Sequence, residues 1–114
     1  MMTIGTRIKV TREYWDALVD NPNSNREEAV RDALASVGGN LIYFGFMFGN
    51  YDVIVLAEVT SESDFIAVLG NAFMKGMIAD SNTFTCVNQD TIIEGFNKMK
   101  QVDYAVPGSN VEMA

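Results

Sequence analysis

From Met2 to Val10 apolar and polar residues alternate. Met2, Ile4, Thr6, Ile8 and Val10 face one way and Thr3, Gly5, Arg7 and Lys9 the other, the period-two signature of a strand with one apolar side. The period then changes. Thr11 is placed to cap a short helix carrying Tyr14, Trp15, Leu18 and Val19, which Asn21-Pro22 ends. Ser24-Asn25-Arg26-Glu27 reads as a capping box, Ser24 at the cap and Glu27 reaching back. The helix it opens sets Ala29, Val30, Ala33, Leu34 and Val37 on one stripe and stops at Gly38-Gly39.

Two strands follow, Leu41 to Phe48 and Tyr51 to Val59, joined by Gly49-Asn50. A two-residue loop with glycine first favours a type II′ turn. That register pairs Phe48 with Tyr51, Phe46 with Val53, Phe44 with Val55 and Ile42 with Ala57, a wholly apolar face. The other face then carries Leu41 beside Glu58, Tyr43 beside Leu56, Gly45 beside Ile54 and Met47 beside Asp52. Ser61-Glu62-Ser63-Asp64 opens a second long helix with Phe65, Ile66, Leu69, Ala72, Phe73 and Met77 at helical spacing, weakened by Gly70 and Gly76. Thr83 to Val87 reads as a short fourth strand. Asn88 or Asp90 caps a last helix with Ile92, Ile93, Phe96 and Met99, and Gln101 to Ala114 reads as an extended tail.

The order β-α-β-β-α-β-α, with right-handed crossovers, places the first and third strands side by side at the centre and both main helices on one face. The expected fold is an α+β, ferredoxin-like antiparallel sheet with an added C-terminal helix. One domain spans residues 1–100 and the tail 101–114. Helices cover one face only. The other exposes Leu41, Tyr43, Met47, Ile54 and Leu56, a patch unusual for a monomer. Burying those five on association stabilises by about 5–10 kcal/mol per subunit before association costs. A homodimer closed over this open face is the expected state.

Composition narrows the chemistry. The 114 residues suit a single domain, 48% hydrophobic and 20% charged. The net charge of −7 is spread over both halves. With no basic stripe, neither nucleic acid nor an anionic membrane surface is an expected partner. Met1 to Val10 is no signal peptide, and no apolar run reaches the ~20 residues of a membrane span, so the expected location is the cytoplasm. The chain holds no histidine. That removes His-ligated haem and metal sites and a histidine-activated nucleophile. No metal-ligand spacing, phosphate loop or nucleophile elbow is present, and no cofactor is expected. The lone Cys86 reads as a buried, inert thiol, and Phe73, Met74 and Met77 as adaptable core.

The segment Gly49-Asn50-Tyr51-Asp52 carries a resemblance. Gly-x-Tyr-Asp, followed by the apolar strand Val53 to Val59 and preceded by a helix ending in Gly-Gly, resembles the GYD domain family over roughly residues 3–100. Effector-binding domains of Lrp/AsnC-type regulators carry a similar hairpin. The resemblance implies a dimeric α+β barrel. Its superfamily includes binding modules and cofactor-independent oxygenases, isomerases and dehydratases acting on aromatic or polyketide-like substrates.

The candidate ligand-binding residues are Arg7, Tyr43, Asp52 and Glu58. Asp52 starts a central strand, where a carboxylate is costly unless paired. It serves a site, or it accepts hydrogen bonds at the hairpin or from a partner subunit. Tyr51 faces the helices in this register and reads as core. Arg7 and Lys9 share the open face with Glu58 and Asp52, either holding an anionic ligand or forming ion pairs. Tyr43 is a ligand donor or an interface aromatic. Three functions stay open: a homodimer binding a small molecule between sheet and helices or across the dimer, an enzyme using Asp52, Glu58 or Tyr43 in place of a histidine base, and a purely structural oligomerisation module.

Overall fold

A computed structural model describes residues 1–108; residues 109–114 of the expected tail lie outside the described residues. The elements are β1 (Met2–Val10), α1 (Arg12–Asp20), α2 (Arg26–Ala35), β2 (Asn40–Phe46), β3 (Val53–Val59), α3 (Glu62–Met74), β4 (Ile78–Cys86) and α4 (Gln89–Lys98), with a 3-10 turn at Met99–Gln101. The sheet order is β2-β3-β1-β4, every neighbouring pair antiparallel. β1 and β3 therefore sit at the centre of a ferredoxin-like α+β fold, as the crossover argument requires.

Capping explains most element starts. The Thr11 hydroxyl accepts the Tyr14 N–H and donates to the Gly76 carbonyl, tying α1 to the turn before β4. Asn88 caps α4 through the Thr91 N–H. At α2 the cap is Asn25 rather than Ser24: Asn25 Oδ1 accepts the Glu28 N–H at 3.0 Å, while Ser24 Oγ accepts from Arg26 Nη2. Asparagine and serine are equivalent caps, so the sequence leaves a one-residue ambiguity. Ser61 stands at the cap position of α3, but its hydroxyl bonds Ser63 Oγ instead. Gly38 and Gly76, at φ +78° and +76°, close α2 and α3 in the left-handed region that a side chain disfavours.

The β2–β3 register holds from Tyr43–Leu56 to Phe46–Val53 and then slips. A bulge between Leu41 and Tyr43 leaves Ile42 as the extra residue, half exposed, and Leu41 pairs with Ala57. Leu41 thus belongs to the helix side, packed on the core, and not to the open face. The bulge lets Leu41 and Phe44, three apart, both point inward, which strict alternation forbids. The hairpin also differs from the expected two-residue turn. The strands end at Phe46 and Val53, Met47 N–H bonds the Asp52 carbonyl at 2.8 Å, and Gly49 adopts φ +135°. The longer loop frees Tyr51 from pairing with Phe48. β4 begins five residues earlier than the expected Thr83, because Asp80-Ser81-Asn82 is polar yet pairs with β1 on the sheet edge.

α2 and α3 close the core. Leu34, Ala57 and Val59 are fully buried between them and the sheet, with Ile4 and Phe65. Ile8, Val10, Val53, Val55 and Ile78 form a second cluster that Tyr14 of α1 adjoins. The buried Thr6 donates to the Asn82 carbonyl and accepts from Thr83 Oγ1, so no hydroxyl is stranded. Phe73 and Met74 are exposed and stand outside the core, as does Cys86, whose thiol is free and exposed rather than buried. No residue of α4 is buried.

Candidate functional site

The open face is read row by row from the pairings. One row runs Tyr43–Leu56–Gly5–Phe84, the next Gly45–Ile54–Arg7–Asn82, and a third Asn40–Glu58–Thr3–Cys86. Gly5 at the centre is required by close packing. A Cβ there would lie 2.6 Å from Leu56 Cδ2 and from Phe84 Cε2, since both side chains fold over it. Tyr43 folds in the same way over Gly45, its hydroxyl 2.7 Å from where a Cβ would be.

Arg7 and Tyr51 meet on this face. Arg7 Nη2 bonds Asn82 Oδ1 at 3.0 Å, and its guanidinium lies 5.9 Å from the Tyr51 ring and 5.5 Å from the Phe84 ring. Tyr51 therefore lies against Arg7 on the open face rather than packing toward the helices. The Tyr43 hydroxyl, over Gly45, stands in the row of Arg7, two strands away. Glu58 pairs with Thr3, four residues along β1 from Arg7, a separation of about 13 Å. Within one subunit Arg7 and Glu58 do not converge. Lys9 stands opposite Asp80 on β4.

Asp52 takes the backbone role that the sequence left open. Its Oδ2 accepts the Val10 N–H at 3.0 Å, and its own N–H donates to the Ile8 carbonyl at 2.8 Å. The side chain extends the β1–β3 ladder past the last main-chain pair. The Gly-x-Tyr-Asp segment thereby gains a local account: Gly49 supplies the turn, Tyr51 a platform for Arg7, and Asp52 a brace for the end of β1.

A second constellation, not singled out in the sequence, lies on the helix side. Arg26 is the first residue of α2 and borders three adjoining clefts of about 370, 270 and 230 Å3. The largest runs between α1, α2 and β2, walled by Leu18, Pro22, Phe44 and Phe46. Arg26 Nη2 donates to Ser24, but the buried Nε has no hydrogen-bond partner among the described residues. The nearby carboxylates are committed elsewhere: Glu27 and Glu28 pair with Arg31 at 2.9 and 3.3 Å. Among the described residues Arg26 forms no ion pair. Tyr14 borders two of the clefts. Burial holds its phenol above the usual value, and the positive charge of Arg26 pulls it the other way. A sequence signal for this site exists. Residues three and four beyond Arg26 are Ala29 and Val30, so the arginine sits on the apolar stripe of its helix with no acid at either spacing.

Among the described residues no group of three His, Cys, Asp or Glu side chains is placed to hold a metal ion, and no helix is long and apolar enough to cross a membrane.

No curated protein matches the chain. Among solved structures, the crystal structure of TTHA0845 from Thermus thermophilus is similar at 16% identity, covering 77% of this chain and 95% of that one, with a TM-score of 0.48. The family model of the GYD domain matches residues 6–95, taking in most of the sheet, α1 to α3, and the Gly49-Asn50-Tyr51-Asp52 loop described above. The chain belongs to the GYD domain family.

Proposed function

We propose that the protein is a homodimeric binding module that holds a small carboxylate-bearing molecule at Arg26, in the cleft between sheet and helices. The observation that carries this reading is the buried Arg26 Nε without a partner. A guanidinium offers its Nε and Nη hydrogens as a fork that matches a carboxylate. Leaving one of those donors dry and unpaired costs about 1–3 kcal/mol, a deficit that a bound anion relieves. The flanking Leu18, Phe44 and Phe46 suit an apolar or aromatic body attached to the carboxylate. The cleft volume of about 370 Å3 falls in the range of small-molecule sites. The protein's net charge of −7 repels anions at long range, so selectivity rests on the fork and the apolar wall.

Homodimerisation through the open sheet face belongs to the same reading. Its support is the apolar row Tyr43–Leu56–Gly5–Phe84 with Ile54 beside it. Arg7 and the Tyr43 hydroxyl flank that row and supply a second location for a ligand, between the two sheets.

Calorimetric titration with phenylacetate and with the neutral phenylacetamide tests the site. Phenylacetate should bind the wild type, the amide at least tenfold more weakly, and Arg26→Gln should lose about 10–100-fold in affinity for the acid. Equal binding of the acid to wild type and Arg26→Gln, or none at millimolar concentration, sinks the assignment. Sedimentation of the wild type as a monomer at micromolar concentration sinks the dimer.

A further inference from the structure

We propose that α4 is an exchanged arm that lays its apolar stripe against a second copy of the chain, alongside the sheet-to-sheet contact. The inference rests on the homodimer proposed above and adds an element to it.

The molecule is far longer than its size requires. Its radius of gyration is 19.4 Å and its extents are 65 × 30 × 23 Å, whereas a compact chain of this length has a radius near ~13 Å. α4 and the extended, exposed residues 102–108 that follow it make up the projecting end; no residue of α4 is buried, and it packs chiefly on its own 3-10 continuation. Ile92, Phe96 and Met99 recur at helical spacing and are 47%, 63% and 62% exposed. Glu94 and Lys98 pair at 3.1 Å on the opposite side. An amphipathic helix of ten residues with no tertiary partner is marginal in water. The stripe needs a cover.

Its own core offers none, because α2 and α3 already fill the helix side of the sheet. A second copy fits on two counts. The first is continuity. Only Val87 and Asn88 separate α4 from β4, whose Phe84 and Cys86 belong to the open face. The stripe and the open face are neighbouring parts of one surface. The second is area. Four strands about 4.8 Å apart and about seven residues long present roughly 450 Å2, about half of the ~800 Å2 each partner gives to a stable interface. A ten-residue helix about 15 Å long and 10 Å across adds about 150 Å2. Exchanged in both directions, one arm given and one received, it brings each subunit close to that standard size.

Sedimentation of the full chain against Phe96→Glu and Ile92→Glu, with Glu94→Gln as control, separates the two claims. Each apolar-to-acid variant should weaken the dimer at least tenfold while Glu94→Gln leaves it unchanged. Diluting the wild type through its dissociation range should remove the helical circular dichroism of about ten residues, matching α4. A wild-type dimer that Phe96→Glu and Ile92→Glu leave intact overturns the arm and spares the sheet-face dimer. A wild-type monomer overturns both, and points to α4 folding back over the open face of its own sheet.

Discussion

Asp52 Oδ2 accepts the backbone N–H of Val10 at 3.0 Å, so a side chain on the β2–β3 loop completes the hydrogen bonding of the central strand. Val10 is buried and its N–H faces β3, whose pairing with β1 ends at Ile8–Val53, so that N–H has no regular strand partner to fall back on. Removing the carboxylate strands that donor. Asp52→Ala should cost about 1.5–3 kcal/mol in chemical denaturation, the usual range for a hydrogen bond to a charged group. Asp52→Asn keeps an acceptor oxygen and should lose less than half as much. An alanine variant within about 0.5 kcal/mol of wild type would show that water replaces the brace.

The bulge at Ile42 makes an opposite pair of predictions for adjacent residues. Leu41 packs on the core and Ile42 is half exposed. Leu41→Ala should destabilise by about 2 kcal/mol, the low end for a core leucine because the side chain is only partly buried. Ile42→Ala should cost less than about 1 kcal/mol. Denaturant midpoints at an unchanged slope measure both. The reverse ranking would mean that the register continues without the bulge and that Leu41 lies on the open face.

That bulge also marks where the sequence stops being readable. Alternation in β1 and β3 assigns their faces correctly, because both strands are central and one side of each is fixed by the core. β2 is an edge strand with almost no polar residue, so alternation has nothing to grip, and Leu41 and Ile42 exchange roles unseen. β4 hides its first half for the opposite reason: Asp80, Ser81 and Asn82 are polar, although Asn82 is there to receive Arg7. The Gly49–Asp52 motif was legible as a landmark and as a turn, but its chemistry was not. Whether Asp52 faces a ligand or a backbone N–H depends on where β1 ends, a contact 42 residues away in the chain. Arg26 was concealed by its place in a capping box, where the adjacent Glu27 invites a pairing that neighbouring helical positions cannot make. Glu27 turns to Arg31 instead.

Tyr14 and Arg26 give a prediction in pH. The folded protein holds the Tyr14 phenol above its ordinary value of 10.0, chiefly through burial, against the opposing charge of Arg26. Above pH ~10 the unfolded chain has released this proton while the folded chain still keeps it. The native state then binds more protons than the unfolded one, and stability falls as pH rises. The contribution is complete below the unfolded value and is lost as pH climbs through the folded one. Tyr14→Phe should therefore change the slope of stability against pH in alkaline solution, by removing a group that binds its proton more tightly in the folded state. Arg26→Gln should move the Tyr14 ionisation still higher, because the substitution removes the one influence that favours the phenolate. Phenolate absorbance, compared between wild type and each variant, reads the ionisation directly. A Tyr14 ionisation that Arg26→Gln leaves in place would mean the guanidinium charge is screened from the phenol. The arginine would then already be neutralised by solvent in the clefts where the proposed site requires it to stand uncompensated.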